Sequence, residues 1–148
     1  MFDEFMKAVD PQHKGFVEAT HNELIANGYK ITIESKASGF FVTYKHPKTK
    51  RSLLNFLFRK KGLLARLYPV NKATAIPNDI TAEMVQEIDK NPTCKKCSEK
   101  CPKGYKFTID GQDYDKCWYG AFLLTVTQGS KPILTKWIQD EITKGKQQ

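Results

Sequence analysis

The residues of this chain best suited to chemistry are its four cysteines, all within "CKKCSEKCPKGYKFTIDGQDYDKC", residues 94–117. Their spacing is Cys94-x2-Cys97-x3-Cys101-x15-Cys117. A Cys-x2-Cys pair lets two sulfurs reach one ion from a single tight turn, and a second pair arriving from elsewhere completes the tetrahedron. Cys101 and Cys117 bracket a hairpin signature with Asp110-Gly111 at its turn. The open ends of paired strands lie about 5 Å apart, so the two remaining sulfurs arrive side by side. The expected occupant is Zn2+ held by Cys94, Cys97, Cys101 and Cys117. Its role is structural, because four thiolates leave no position for water or substrate. Two occupations compete. "CSEKCP" has the Cys-x3-Cys-Pro tail of a ferredoxin run, which makes an iron–sulfur cluster the second; metal-free or disulfide-capable thiols are the third. Lys95, Lys96, Lys100 and Lys116 flank the sulfurs, and their charge favours thiolates. A redox role for the Cys94-x2-Cys97 pair needs a preceding strand in a βαβ unit, which the sequence lacks.

A second group of residues is electrostatic. Residues 29–72 hold eleven Lys or Arg against one acidic residue and dominate the net charge of +8. Lys45, Lys48, Lys50, Arg51, Arg59, Lys60, Lys61 and Arg66 fall at the ends and turns of predicted strands. With Tyr44, Phe56, Phe58 and Tyr68 as stacking faces, they form a candidate surface for nucleic acid or another polyanion. The plainer alternative makes the lysines solvated turn and edge residues and the aromatics core. No helix-turn-helix spacing, RNA-binding aromatic signature or phosphate-cradling glycine loop is present. No catalytic residue is nominated, since Gly-x-Ser-x-Gly, His-Glu-x-x-His and paired carboxylates in an apolar setting are absent. Asp110, Asp113 and Asp115 fit hairpin chemistry rather than a calcium loop. His21 lies on the inward stripe of a helix, whereas His13 and His46 stand in loop-like context and read as solvated.

Both groups are carried by an α+β arrangement. "FDEFMKAV" starts as a short helix, and Asp10-Pro11 caps a second with Phe16, Val17, Thr20, Leu24 and Ile25 as its stripe. Asn27-Gly28 stops it. "YKITIES", "GFFVTYK", "RSLLNFLF" and "GLLARLYP" then form an antiparallel four-stranded meander, separated by segments of hairpin length. A helix capped near Asn78 or Asp79 follows, with Ile80, Met84 and Ile88 inward and Pro92 as terminator. The cysteine hairpin comes next, then "AFLLTVT", open between strand and helix. The last element is a helix from near Ser130 with Ile133, Trp137, Ile138 and Ile142 on one face. The chain of 148 residues is expected to be one domain, with residues 1–92 as a helix–meander–helix core and residues 93–148 as a zinc-stapled hairpin module and terminal helix packed on it.

Apolar runs are about five residues long, far short of the ~20 that span a bilayer, so no membrane partner is expected. The mixed, acidic start "MFDEFMKAVD" has no secretory pattern, which points to the cytoplasm, where thiols stay reduced. At "YKHPKTKRSLLNFLFRKKGLLARLYP", two extended runs about a basic turn resemble the central hairpins of the YdhG/YjbR-type small bacterial α+β domains. The resemblance covers residues 15–90 and excludes the cysteine segment. It implies the helix–meander–helix fold and a bacterial intracellular setting, and carries over no functional residue. The function expected from the residues themselves is a non-catalytic binding module with a structural zinc site and a basic sheet. The alternative is a small-molecule-binding protein or enzyme with a pocket between meander and helices.

Overall fold

In a computed structural model, which describes residues 1–71, 76–95 and 99–147, the chain forms four helices, a five-stranded antiparallel sheet and a separate two-stranded hairpin. The helices are α1 (Phe2–Ala8), α2 (Pro11–Ala26), α3 (Ala82–Lys90) and α4 (Lys131–Gly145). The strands are β1 (Lys30–Lys36), β2 (Gly39–Lys45), β3 (Ser52–Arg59), β4 (Gly62–Leu67), β5 (Tyr105–Ile109), β6 (Gln112–Lys116) and β7 (Phe122–Thr125). The sheet order is β1-β2-β3-β4-β7, so the expected meander is extended by the segment whose type was open. Local turn chemistry sets the meander. Two-residue turns join β1 to β2 and β3 to β4, and each is followed by a glycine with positive φ, Gly39 at 118° and Gly62 at 105°. Asp110 and Gly111 take left-handed values, 49° and 80°, at the β5–β6 turn.

One face of the sheet is apolar. Val42 lies opposite Phe56, which lies opposite Ala65, and Ala65 lies opposite Leu124. Phe5 of α1 packs on Phe56 and Phe58, Phe16 of α2 meets Phe56, and Trp137 of α4 meets Phe122. Tyr105, Phe107 and Ile109 of the hairpin join this same core, which therefore draws on both parts of the chain. Tyr44 and Phe56 are fully buried and Phe58 is packed against the core, so these three supply no stacking surface. The space between meander and helices is filled by side chains such as Phe5, Leu24, Leu54 and Phe56, none of them exposed.

Edges are managed on both sides. β7 would leave a row of unpaired backbone groups. α3 covers it: Glu87 accepts from Thr125 N at 3.1 Å and from its hydroxyl at 2.7 Å, and Asn91 Nδ2 donates to the carbonyls of Ala121 and Leu123. The free edge of β1 carries Lys30, Glu34 and Lys36. The cap of α3 is Thr81, whose Oγ1 accepts from Met84 N at 3.1 Å. Asn78 and Asp79 are spent instead in a turn closed by Ile80 N and Pro77 O. In α2 the buried stripe is His13, Val17, Thr20 and Leu24, while Ile25 is exposed.

His13 and His46 are therefore buried, not solvated. His46 organises the β2–β3 loop. Its Nδ1 accepts from the amides of Lys48 and Thr49, so Nε2 carries the proton and donates to Gly145 O at 2.9 Å, tying the end of α4 to the loop. His21 stacks on Phe2 at 3.9 Å, and its Nδ1 meets the Tyr44 hydroxyl at 2.8 Å.

Burial is the largest influence on His21 and on His13 and lowers the pKa of both below 6.5, with Glu18 opposing at His21 and Lys131 adding at His13. The unfolded chain then binds more protons than the folded one as pH falls through the ordinary histidine range. Stability is expected to decline below about pH 6.5. Thermal unfolding followed by circular dichroism at pH 7.5 and pH 5.5 checks this: an unchanged or higher melting temperature at the lower pH would contradict it.

Candidate functional site on the polar face of the sheet

The opposite face carries a straight polar row. Thr32 pairs with Thr43, Thr43 with Asn55, and Asn55 with Arg66, so one side chain from each of β1, β2, β3 and β4 lies in line across the strands. Alternation along a strand sends these four to the face away from Val42, Phe56 and Ala65. They line an open groove of about 390 Å³ together with Glu34, Phe41, Lys45, Ser52, Tyr68, Trp118 and Tyr119. Trp118 and Tyr119 reach it from the β6–β7 connection, whereas Phe41 comes from β2.

Hydrogen bonds fix the centre of the row. Asn55, 2% exposed, gives its amide to Thr43 Oγ1 at 2.9 Å and to Val42 O at 3.4 Å. Its Oδ1 accepts from the Tyr68 hydroxyl at 2.5 Å and from Arg66 Nη1 at 3.3 Å. Both ends of the amide are thereby committed. The Tyr68 hydroxyl also accepts from Arg66 Nη1 at 3.4 Å. Burial raises the Tyr68 pKa, with Arg66 opposing, and the side chain stays a neutral phenol.

Arg66 is the exceptional member. Among the described residues its Nε is buried without a hydrogen-bond partner, and none of the three ion pairs involves it. Its guanidinium lies 6.0 Å from the Phe41 ring centroid. The side chain as a whole is half-buried and faces the open groove, so its charge, with no carboxylate beside it, is available to an anion supplied from outside. Glu34, the acidic residue on the lining, is engaged by Lys36 at 3.6 Å.

The remaining basic residues are dispersed. Lys45 lines the groove, and its register partner Lys30 stands beside it on β1. Lys48, Lys50 and Arg51 continue from Lys45 in the β2–β3 loop. Arg59, Lys60 and Lys61 lie at the other end of β3, roughly 24 Å away at about 3.4 Å per residue. The candidate nucleic-acid residues thus form two groups, and only the first adjoins the groove. Thr32, Phe41, Thr43, Asn55 and Tyr119 are not among the candidates that the sequence offers. A signal for the row existed: a single polar residue interrupts each apolar run, in "ITI", "VTY", "LNF" and "ARL". A separate hollow of about 630 Å³ between residues 76–79 and α4 has charges of mixed sign, Asp79 and Asp140 with Lys136 and Lys144.

The cysteines occupy the open end of the hairpin. Lys116 is flanked by Tyr105 and by an antiparallel bridge from Thr93. Cys94 N donates to Asp115 O, and Cys117 N to Pro92 O. Alternation from that register puts Cys94 and Cys117 on one face of the ribbon. Gly104 closes against Cys94: a Cβ there would stand 3.0 Å from Cys94 Sγ and 2.5 Å from Lys116 O, so only glycine lets the backbone pass this near the sulfur. Cys94 and Cys101 line a common hollow of about 620 Å³ with Glu99, Lys106 and Asp115; Cys117 is not on that lining. Cys97 and Lys96 lie outside the described residues. Cys94, Cys101 and Cys117 are half-buried and not joined by a disulfide. Among the described residues no three Cys, His or carboxylate side chains are gathered closely enough to hold an ion. Lys116 does not face the thiols; its Nζ donates to Asp89 O and Asn91 O at the end of α3.

Among the described residues no helix is long and apolar enough to cross a membrane. Comparison with protein families, with curated proteins and with solved structures finds no match to this chain.

Proposed function

We propose that this chain is a binding module that takes an anionic ligand in the groove on the polar face of its sheet. One observation carries the reading. Arg66 stands at the centre of an open face, braced by Asn55 and Tyr68, with no carboxylate partner among the described residues. A buried structural arginine is ordinarily paired, whereas a guanidinium held by neutral groups keeps its charge for a visitor. Lys45 adds charge on the same lining, with Lys30 next to it on β1, and Lys48 and Lys50 continue the positive track along the β2–β3 loop. Calorimetric titration with inorganic tripolyphosphate tests this: binding that weakens steeply with added salt supports it, and no heat at low ionic strength overturns it.

The hairpin is part of the same proposal. Cys94, Cys97, Cys101 and Cys117 are assigned to one structural zinc ion at its open end. The support is the donor set: two described sulfurs on one hollow, a third on the Cys94 face of the ribbon, and a glycine where any side chain would displace Cys94. Four thiolates suit zinc and leave it no open coordination position. Residues 117–119 run directly from the last thiol into the aromatic wall of the groove, so the centre also positions Trp118 and Tyr119.

A further inference from the structure

We infer that the ligand of this groove is single-stranded nucleic acid, bound with one base stacked on Tyr119 and a phosphate at Arg66. The inference rests on the anion-binding reading above and adds a second observation. Tyr119 is 52% exposed, one of few large apolar side chains left so open among the described residues. It is also held in place. Its ring meets Trp118 at 4.7 Å and 83°, and Trp118 packs on Tyr68 at 4.6 Å. An exposed aromatic ring fixed at the rim of a cationic groove offers a stacking face at little entropic cost.

Single strands present what this arrangement recognises. Their unstacked bases can lie on an aromatic ring while the backbone follows the positive track, and a duplex keeps its bases inside and has no use for Tyr119. A groove of about 390 Å³ holds one nucleotide-sized group, and the strand then leaves past Lys45 toward Lys48 and Lys50. Base identity is read weakly. Asn55, the amide best placed to read a base edge, already spends both amide hydrogens on Val42 O and Thr43 Oγ1 and its oxygen on Tyr68 and Arg66. Binding is therefore sequence-tolerant.

Fluorescence anisotropy of the full chain with labelled oligothymidylate and oligouridylate of about eight nucleotides, a duplex of mixed sequence, and a heparin fragment tests this. Single strands are expected to bind tighter than duplex. Their log K should fall against log salt with a slope of about −2 to −3.5, for three to five phosphates. Tyr119→Ala should weaken single-strand binding about tenfold and leave heparin binding unchanged, because heparin has no base to stack. If Tyr119→Ala leaves single-strand binding intact, or duplex or heparin binds as tightly as the single strand, the stacked base is wrong and the anion site stands. If none of these polyanions binds at low salt, both readings fall.

Discussion

Chelation is expected to release a single zinc ion per chain and to unfold the β5–β6 hairpin while the five-stranded sheet stays folded. Two strands alone are marginal in water. This pair has its alternate residues Lys106, Thr108 and Asp110 exposed, and it meets the core through Tyr105, Phe107 and Ile109, with Tyr114 partly buried against it. Among the described residues, the backbone bonds that tie the cysteine segment to the hairpin are chiefly Cys94 N to Asp115 O and Cys117 N to Pro92 O. Apparent zinc-binding energies of about 10–16 kcal/mol in small modules exceed what such a ribbon holds by itself. Hydrogen exchange followed by mass spectrometry separates the regions. Amides of residues 105–116 should lose protection with chelator, and those of β2 and β3 should keep it. Because Trp118 and Tyr119 follow Cys117 directly, the treated protein should also bind polyanions more weakly. Protein that holds no metal as purified and protects its hairpin fully would refute the zinc assignment, and a brown, iron-containing sample would replace zinc with a cluster.

Arg66→Met should abolish most ligand binding at almost no cost in stability. The guanidinium makes two long hydrogen bonds, 3.3 Å to Asn55 Oδ1 and 3.4 Å to the Tyr68 hydroxyl. Asn55 Oδ1 keeps its bond from Tyr68 when Arg66 is lost, and methionine occupies the stem of the longer side chain. The side chain is half-buried and has no carboxylate partner to lose, so stability should change by no more than about 1 kcal/mol in either direction. Hydrogen bonds to a charged group contribute about 1.5–3 kcal/mol, so tripolyphosphate affinity should drop roughly ten- to a hundredfold. Replacing Lys60 and Lys61 together by Ala, at the far end of β3, should leave it unchanged. Urea unfolding and calorimetry on both variants decide the matter. Equal affinity for wild type and Arg66→Met removes the anchor. A large loss of stability would make Arg66 a structural residue.

The elements of this fold were legible because each announces itself locally. Asp10-Pro11 and Asn27-Gly28 bound α2, and Asp110-Gly111 turns the hairpin by adopting the positive φ values that asparagine, aspartate and glycine tolerate. What stayed hidden depended on distant partners. "AFLLTVT" became an edge strand because β4 offered it a ladder and α3 covered its outer side, neither of which lies nearby in sequence. His46 reads as a loop residue, yet it is buried because the loop folds around its ring and the end of α4 meets its Nε2. The face that each strand residue takes is the least legible feature. β3 and β4 are buried along nearly their whole lengths, so hydrophobic alternation cannot tell one side from the other. Register resolves it. Only when Thr32, Thr43, Asn55 and Arg66 are aligned does the single polar residue in each run become one row, and only then does Arg66 separate from Arg59, Lys60 and Lys61.

Backbone amide NMR spectra recorded during addition of tripolyphosphate to the metal-loaded protein test the location of the ligand most directly. Resonances of Thr32, Phe41, Thr43, Asn55, Arg66 and Tyr119 should shift together and saturate with one affinity, while those of Arg59, Lys60 and Lys61 stay still. Shifts confined to the β3–β4 turn, or to the hollow beside α4, would mean that the polar row is not where the anion binds.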